Sequence, residues 1–319
     1  MKKIVLIIFL LLAAFHATAS ETPVIPTPEQ LAKIRAILKR PYKVIRGETI
    51  TGDLIGENPQ YTVKYGDTLF KLAKRFDVSF MAITRTNNIK NPGKIRIGNT
   101  FIIPKQTIVP KNLTKGILIN IPEYRLYLFE ENQVIDIYPV AIGLTTWKTL
   151  CGKFKIRNKA INPSWQMPEE MAERMLVPRE IIPPGDTNPL GDRWIGLSLP
   201  GTGIHGTIDP LSIGQASSHG CIRLYPDDIH RLFPLVEKGE EGEIIYEPIK
   251  IAFIGHKIYI EVHRDIYKII KNQKDETMRR LDYLGLTPYV DMIKLELALK
   301  ERLGIPILVS PDNDTESLP

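Results

Sequence analysis

Cysteine is almost missing from this chain: Cys151 and Cys221 are the only two in 319 residues. Two thiols are too few for a disulfide scaffold or for a zinc site built on cysteine, so any special chemistry rests on one of them. Aromatic residues make up only 8% of the chain. After Phe15 no stretch approaches the roughly twenty unbroken apolar residues of a membrane span. Lys and Arg nowhere form a block. The formal charge of +6 falls to about +4 without Lys2 and Lys3, a mild excess spread along the chain, so a nucleic-acid partner is not indicated. What remains is ordinary: 43% apolar and 24% charged residues, at a length that points to two or three compact units and excludes wholesale disorder.

The chain starts with Met1-Lys2-Lys3, the apolar run from Ile4 to Phe15, and Ala17-Thr18-Ala19. A charged start, a short greasy core and a small-x-small site are the parts of a secretory signal, so residues 1–19 are expected to be a leader and the mature chain to be exported. Residues 20–28 are proline-rich and unable to hold regular structure, with a short helix expected from about Pro28 to Lys39.

From Tyr61 the pattern sharpens. Tyr61-Thr62-Val63 reads as a strand, Asp67 as the N-cap of a helix, and Leu69, Leu72, Ala73 and Phe76 as its apolar stripe. Ser79 caps a second helix that ends at Asn87-Asn88, and the run Thr100 to Ile103 gives a closing strand before Pro104. Strand, helix, helix, strand with Gly66-Asp67-Thr68-Leu69, Asn87-Asn88 and Ile103-Pro104 resembles a LysM module over residues 60–104. The resemblance implies binding to N-acetylglucosamine-containing glycan, here peptidoglycan.

Between about Lys115 and Tyr246 the pattern turns to strands: Gly116 to Ile121, Arg125 to Phe129, Val134 to Ile142 and Lys153 to Arg157 alternate or bury apolar residues between turns. The stretch from Asn162 to Gly191 carries six prolines without clear periodicity, the mark of a functional loop or lid. Farther on, Ile229, Leu232, Phe233 and Val236 read as a helix that Pro234 should end or kink. A strand from Lys257 to His263 follows, then a helix from Thr287 to Leu303 capped by Thr287, with Pro288 in its first turn and Gly304 beyond it. Its stripe of Met292, Leu295, Leu299 and Leu303 predicts packing against a core.

One segment carries chemistry: Ile204-His205-Gly206-Thr207, then Ser217-Ser218-His219-Gly220-Cys221-Ile222-Arg223-Leu224. A thiol near imidazole is drawn toward thiolate, the nucleophile of acyl transfer. Gly220 lets backbone approach a substrate, and the N–H groups of Gly220 and Cys221 are candidates to face an oxyanion. By residue type alone, a buried structural Cys and a satisfied structural His stay open as readings. So does a metal site from His205, His219 and Cys221, although no separate acid stands out beside it.

The pairing of Ile204-His205-Gly206-Thr207 with Ser218-His219-Gly220-Cys221 resembles the signature of the L,D-transpeptidase, or YkuD, catalytic domain. Asn162-Pro163-Ser164-Trp165, Pro184-Gly185, Asn188-Pro189-Leu190-Gly191 and Ser212-Ile213-Gly214 add to the likeness. It implies a metal-free, cofactor-free enzyme in which Cys221 is the nucleophile and His205 the general base and acid, with the Gly206 carbonyl orienting the imidazole. His219, Gly220 and Ser218 shape the catalytic loop, and Arg223 binds a substrate carboxylate or pairs with an acid. The implied reaction opens a peptidoglycan tetrapeptide stem, releases terminal D-Ala and passes the acyl group to an amine, giving a 3-3 cross-link or an attached outer-membrane lipoprotein. Water in place of the amine would give an L,D-carboxypeptidase or hydrolase, and a silent domain would leave a wall-binding protein. Where relatives often have Thr-Pro-x-Gly, this chain reads Thr149-Leu150-Cys151-Gly152, which brings a second thiol; an isolated buried thiol is favoured over a disulfide with Cys221.

The expected architecture is thus multidomain. A leader (1–19) and linker (20–59) precede a small α+β LysM module (60–104), a mainly β YkuD-type domain (115–247) and a C-terminal α/β extension (248–319). The expected location is the periplasm, against the cell wall.

Overall fold

Short apolar stripes broken by frequent Gly and Pro dictate short elements, and the computed structural model describes residues 52–110, 113–169, 172–173, 176–254 and 257–311. The expected leader, the proline-rich segment and the helix near 28–39 lie outside the described residues. By contacts the described chain divides into two compact units, residues 140–244 and residues 52–139 together with 245–311. Among the described residues no helix is long and apolar enough to cross a membrane.

The flanking unit begins with β1 (Leu54–Ile55) and the LysM fold: β2 (Gln60–Thr62), α1 (Leu69–Phe76), α2 (Phe80–Thr86) and β3 (Thr100–Ile102), with β2 antiparallel to β3. Leu69, Leu72 and Ala73 of α1 join Val63, Val78, Ile83, Phe101 and Ile103 in one small core. The N-cap of α1 is Thr68, one residue beyond the expected Asp67: Thr68 Oγ1 accepts the Lys71 N–H at 3.1 Å. Asp67 instead closes the turn before it, accepting the Lys64 N–H at 2.8 Å and the Tyr61 hydroxyl at 2.7 Å. Ser79 caps α2 as expected, accepting from the Ala82 N–H. Next come β4 (Thr107–Ile108), paired with β1, then β5 (Gly116–Asn120) and β6 (Arg125–Glu130), which continue into the first half of β7 (Gln133–Gly143) as a meander.

The thiol-bearing unit is built on strands. From the second half of β7 the chain runs through β8 (Gly152–Ile161), β9 (Trp165–Gln166), β10 (Ile181–Ile182), β11 (Arg193–Leu197), β12 (Gly203–His205), β13 (Ala216–Ser218), β14 (Ile222–Leu224), α3 (Pro226–Leu232) and β15 (Glu241–Ile245). Within this unit the sheet order is β13-β7-β14-β12-β11-β8-β15. In the long loop the strands β9 and β10 pair as a two-residue antiparallel ladder. Asn188 ties that loop together: its amide donates to the Pro163 carbonyl at 2.8 Å, and its Oδ1 accepts the Leu190 N–H at 2.9 Å. Pro234 ends α3 as expected, the chain passing into a 3-10 turn at Phe233–Leu235. The Lys159 ammonium takes the freed carbonyls of Phe233 and Val236, each at 2.6 Å.

The flanking unit resumes with an antiparallel sheet of β16 (Ile249–Ile254), β17 (Lys257–Val262) and β18 (Pro306–Leu308), and with α4 (Gln273–Tyr283) and α5 (Met292–Glu301). Ile249, Ile251, Ile258, Ile260, Leu281, Leu295 and Leu299 form its core, so the C-terminal part is an α/β layer with a core of its own. The expected helix from Thr287 to Leu303 is split. Thr287–Tyr289 makes a 3-10 turn, Val290 is extended, and α5 starts only after Asp291, whose carboxylate accepts the Ile293 and Lys294 N–H groups. Asp is the stronger cap, because its side chain reaches two orphan amides.

Candidate active site

Strand register builds the site. In the parallel pair β12/β14, Ile204 lies opposite Ile222 and His205 opposite Arg223. Side chains alternate across a strand, so Ile204 and Ile222, both fully buried, occupy one face. His205 and Arg223 occupy the other face. Cys221 precedes β14 by one residue, and its sulfur bonds the Gly201 carbonyl and the Gly203 N–H at the start of β12, the strand that carries His205. The same row continues outward: Trp194 of β11 lies opposite His205, Ala160 of β8 opposite Trp194, and Ala141 of β7 opposite Arg223.

His205 is buried, and its Nδ1 lies 2.6 Å from the Gly206 carbonyl oxygen. A carbonyl only accepts, so Nδ1 carries the proton and Nε2 is left with its lone pair, the tautomer a general base needs. Burial, and after it the Arg223 charge, hold the imidazole down to about 3. The Gly206 and Leu190 carbonyls oppose that shift, so the far end of the long loop reaches the imidazole.

Cys221 is half-buried, and its Sγ donates to the Gly201 carbonyl at 3.5 Å. Burial raises its pKa, while the Gly203 N–H and Arg223 act to lower it. At rest, therefore, the pair is neutral thiol and neutral imidazole, and the proton must move during attack.

The loop before the thiol is held from two sides. Ser218 Oγ donates to the Cys221 carbonyl at 2.5 Å and accepts the Gly220 N–H at 3.1 Å. Thr149 Oγ1 donates to the Gly220 carbonyl at 3.0 Å and accepts the Gly143 N–H at 2.8 Å. Gly220 has φ +106, which no L side chain adopts comfortably, so glycine is needed there for the backbone turn. The Gly220 N–H, expected to face an oxyanion, is committed to Ser218 in this conformation. The His219 ring packs edge-on against Trp147, with centroids 4.4 Å apart, rather than joining the His205 row. Arg223 Nε is buried and makes no hydrogen bond among the described residues, a donor left over for a ligand. Neither Cys151 nor Cys221 is in a disulfide.

The residue types alone gave no hint of Trp194. Its indole is stacked on the His205 imidazole, with centroids 5.9 Å apart and planes 25° apart. Gly203 makes room for it, since a Cβ there would lie 2.2 Å from the indole ring.

Among the described residues His205, His219 and Cys221 do not form a set of converging ligand atoms. The set that does converge lies in the flanking unit: Glu123, Glu261 and His263, with ligand atoms within 4.8 Å of one another. Lys250 already pairs with both acids of that set, its Nζ 2.9 Å from Glu123 and 3.0 Å from Glu261. An ammonium there supplies the positive charge a metal would bring, so these residues do not fit a metal ion.

Residues 114–251 match the family model of the L,D-transpeptidase catalytic domain, and residues 61–104 that of the LysM domain. The chain is 35% identical to a probable L,D-transpeptidase, YcfS, of Escherichia coli, over 67% of this chain and 70% of that protein. It is 29% identical to the probable L,D-transpeptidase YbiS of the same organism, over 80% of this chain and 88% of that one. Among solved structures, an Enterococcus faecium L,D-transpeptidase is similar at 20% identity over 41% of this chain and 49% of that one, with a TM-score of 0.33.

Proposed function

The chain belongs to the L,D-transpeptidase family, and from that premise we propose that it is an exported cysteine acyltransferase acting on peptidoglycan stem peptides, with Cys221 as nucleophile and His205 as base and acid. The observation that supports this reading is the position of the Cys221 sulfur, bonded to the Gly201 carbonyl and the Gly203 N–H at the start of β12, the strand that carries His205.

The chemistry follows from the tautomer. His205 Nε2 takes the proton of the Cys221 thiol as Sγ attacks the carbonyl of the third residue of a tetrapeptide stem. A carbon–sulfur bond forms, the carbon–nitrogen bond to terminal D-Ala breaks, and the imidazolium returns its proton to the departing amine. An incoming amine then attacks the thioester, gives its extra proton to His205, and the sulfur leaves and is reprotonated. The product is a new amide, either a 3-3 cross-link or an attached lipoprotein. Arg223, with its unused Nε donor, holds a substrate carboxylate. The LysM module at 60–104 holds the glycan and raises the local concentration of stems around the catalytic domain at 115–247. The leader at 1–19 places the enzyme in the periplasm.

The test incubates the purified protein and its Cys221→Ala variant with tetrapeptide-bearing muropeptides and weighs the products. Loss of D-Ala with dimer formation, absent in the variant, is expected. Loss of D-Ala with tripeptide monomer alone would make the protein a hydrolase, and identical products from both proteins would leave a wall-binding role.

A further inference from the structure

A base that takes a proton in a buried site needs something to hold the charge it acquires. In serine and cysteine hydrolases with a triad, an acid does this from behind the imidazole. Here, among the described residues, no carboxylate hydrogen-bonds the His205 ring, whose polar neighbours are the Gly206 and Leu190 carbonyls. The group opposite it on β14 is Arg223, a cation. The group opposite it on the other side is the indole of Trp194.

We propose that Trp194 is the positioning residue of the acyl-transfer site: its indole face fixes the plane of the His205 imidazole against the Gly206 carbonyl and stabilises the positive charge the ring carries after taking the proton of Cys221. The inference rests on the reading of Cys221 as nucleophile and His205 as base.

Three observations support it. The two rings are near parallel, 25° apart, with centroids 5.9 Å apart, inside the range in which an aromatic face attracts a cation. The backbone is shaped for the indole, because a Cβ on Gly203 would sit 2.2 Å from it. Lastly, Trp194 is 5% exposed, yet its Nε1 makes no hydrogen bond among the described residues. A side chain that only filled space would serve better as Phe, with no buried N–H unsatisfied. Of the aromatic side chains, indole offers the strongest face to a cation, and that accounts for Trp at this cost.

The test compares the wild-type chain with Trp194→Phe, Trp194→Leu and a protein carrying a trifluorinated tryptophan at position 194 only, which weakens the π face at nearly constant volume. Two readouts are taken: the tautomer of His205 from its imidazole 15N shifts without substrate, and kcat and KM for tetrapeptide muropeptides. The expected result is a kcat that falls in the order Trp, Phe, Leu, by roughly tenfold for Leu, with KM little changed. The trifluorinated ring should lower kcat about threefold. Trp194→Leu should replace the single Nδ1–H tautomer by a mixture. Parent-like kcat in the fluorinated protein together with an unchanged tautomer in Trp194→Leu would overturn the proposal. If Trp194→Leu does not fold, the Phe and fluorinated proteins decide it by kcat and by tautomer. If the wild type transfers no acyl group, the reading of Cys221 fails, and the tautomer still reports on Trp194.

Discussion

In the flanking unit Lys250 lies with Glu123 and Glu261 at 2.9 and 3.0 Å and donates to the Ile108 carbonyl at 2.6 Å. Around them Arg125 reaches both carboxylates, His263 meets Glu261 at 2.7 Å, and the Tyr127 hydroxyl donates to Glu123. The thiol-bearing unit also gathers ionisable groups, namely His205, Cys221 and Arg223, yet among the described residues no acid hydrogen-bonds the imidazole, whose partner is the Gly206 carbonyl. Burial costs charge in both places, but only the first repays it with opposite charges at contact distance. A closed set of this kind holds strands together. An open one leaves its thiol and imidazole neutral and available, which is the condition of a site that moves protons.

Substitutions can break this contrast, starting from the largest effect. Cys221→Ala is expected to lower acyl transfer by more than about a thousandfold, read as D-Ala release. Its denaturant midpoint should stay close to wild type, because one half-buried sulfur is removed without stranding a charge.

Lys250→Met should do the reverse. It takes the nearest cation from two buried carboxylates, leaving them to the more distant Arg125, and urea unfolding is expected to show a loss of about 3 kcal/mol. A neutral result would show that the two units are not built on different terms.

Acid sharpens the contrast. Burial pushes Glu261 up, but Lys250, His263 and Arg125 outweigh it and hold the carboxyl at about 2. A carboxyl depressed in the folded state stabilises above its ordinary value near 4.5, and that stability is lost as pH falls from there toward about 2. Stability of the wild type should therefore drop by up to about 3 kcal/mol across that window, and Glu261→Gln should flatten the curve. Burial lowers His205 and, against the pull of Glu261, His263 as well, and both steepen the same descent from their ordinary value of 6.5 downward.

Arg223→Lys replaces a fork by a point charge and is expected to raise KM roughly tenfold with a smaller change in kcat, measured on the tetrapeptide substrate. The mildest effect is in reactivity without substrate. With its pKa raised, Cys221 should react with iodoacetamide at a rate that climbs steadily to pH 9 rather than levelling near neutrality. An early plateau would mean a preformed thiolate.

Much of this was legible in residue order. The LysM stripe Leu69, Leu72 and Ala73 is buried as the helical period requires. Pro234 stops α3 where its missing N–H demands. Caps were less secure, because two candidates stood side by side. Asp67 and Thr68 can each cap a helix, and the choice fell to Thr68 once the Asp67 carboxylate was taken by the Lys64 turn. The helix α4 was invisible, since of its eleven residues the buried ones are Gln273, Glu276, Thr277 and Leu281, and three of those four are polar. The catalytic segment showed its residue types plainly, but not that the Gly220 N–H would be bound by Ser218, nor that Trp194 would lie on His205.

The sequence by itself determined the parts: a glycan-module pattern, a thiol and an imidazole in family-specific motifs, and glycines where the backbone must turn or lie close. Those are local properties, set by side-chain chemistry and by the backbone freedom of a few residues. Tertiary structure decided which parts meet. Pairing β12 with β14, and β11 with β12, placed Arg223 and Trp194 on either side of His205. Bringing β4, the turn before β6, β16 and β17 together enclosed Lys250 among acids from distant segments. A one-residue slip in any of these registers would turn the same side chains to the opposite face, and no count of residues along the chain carries that information.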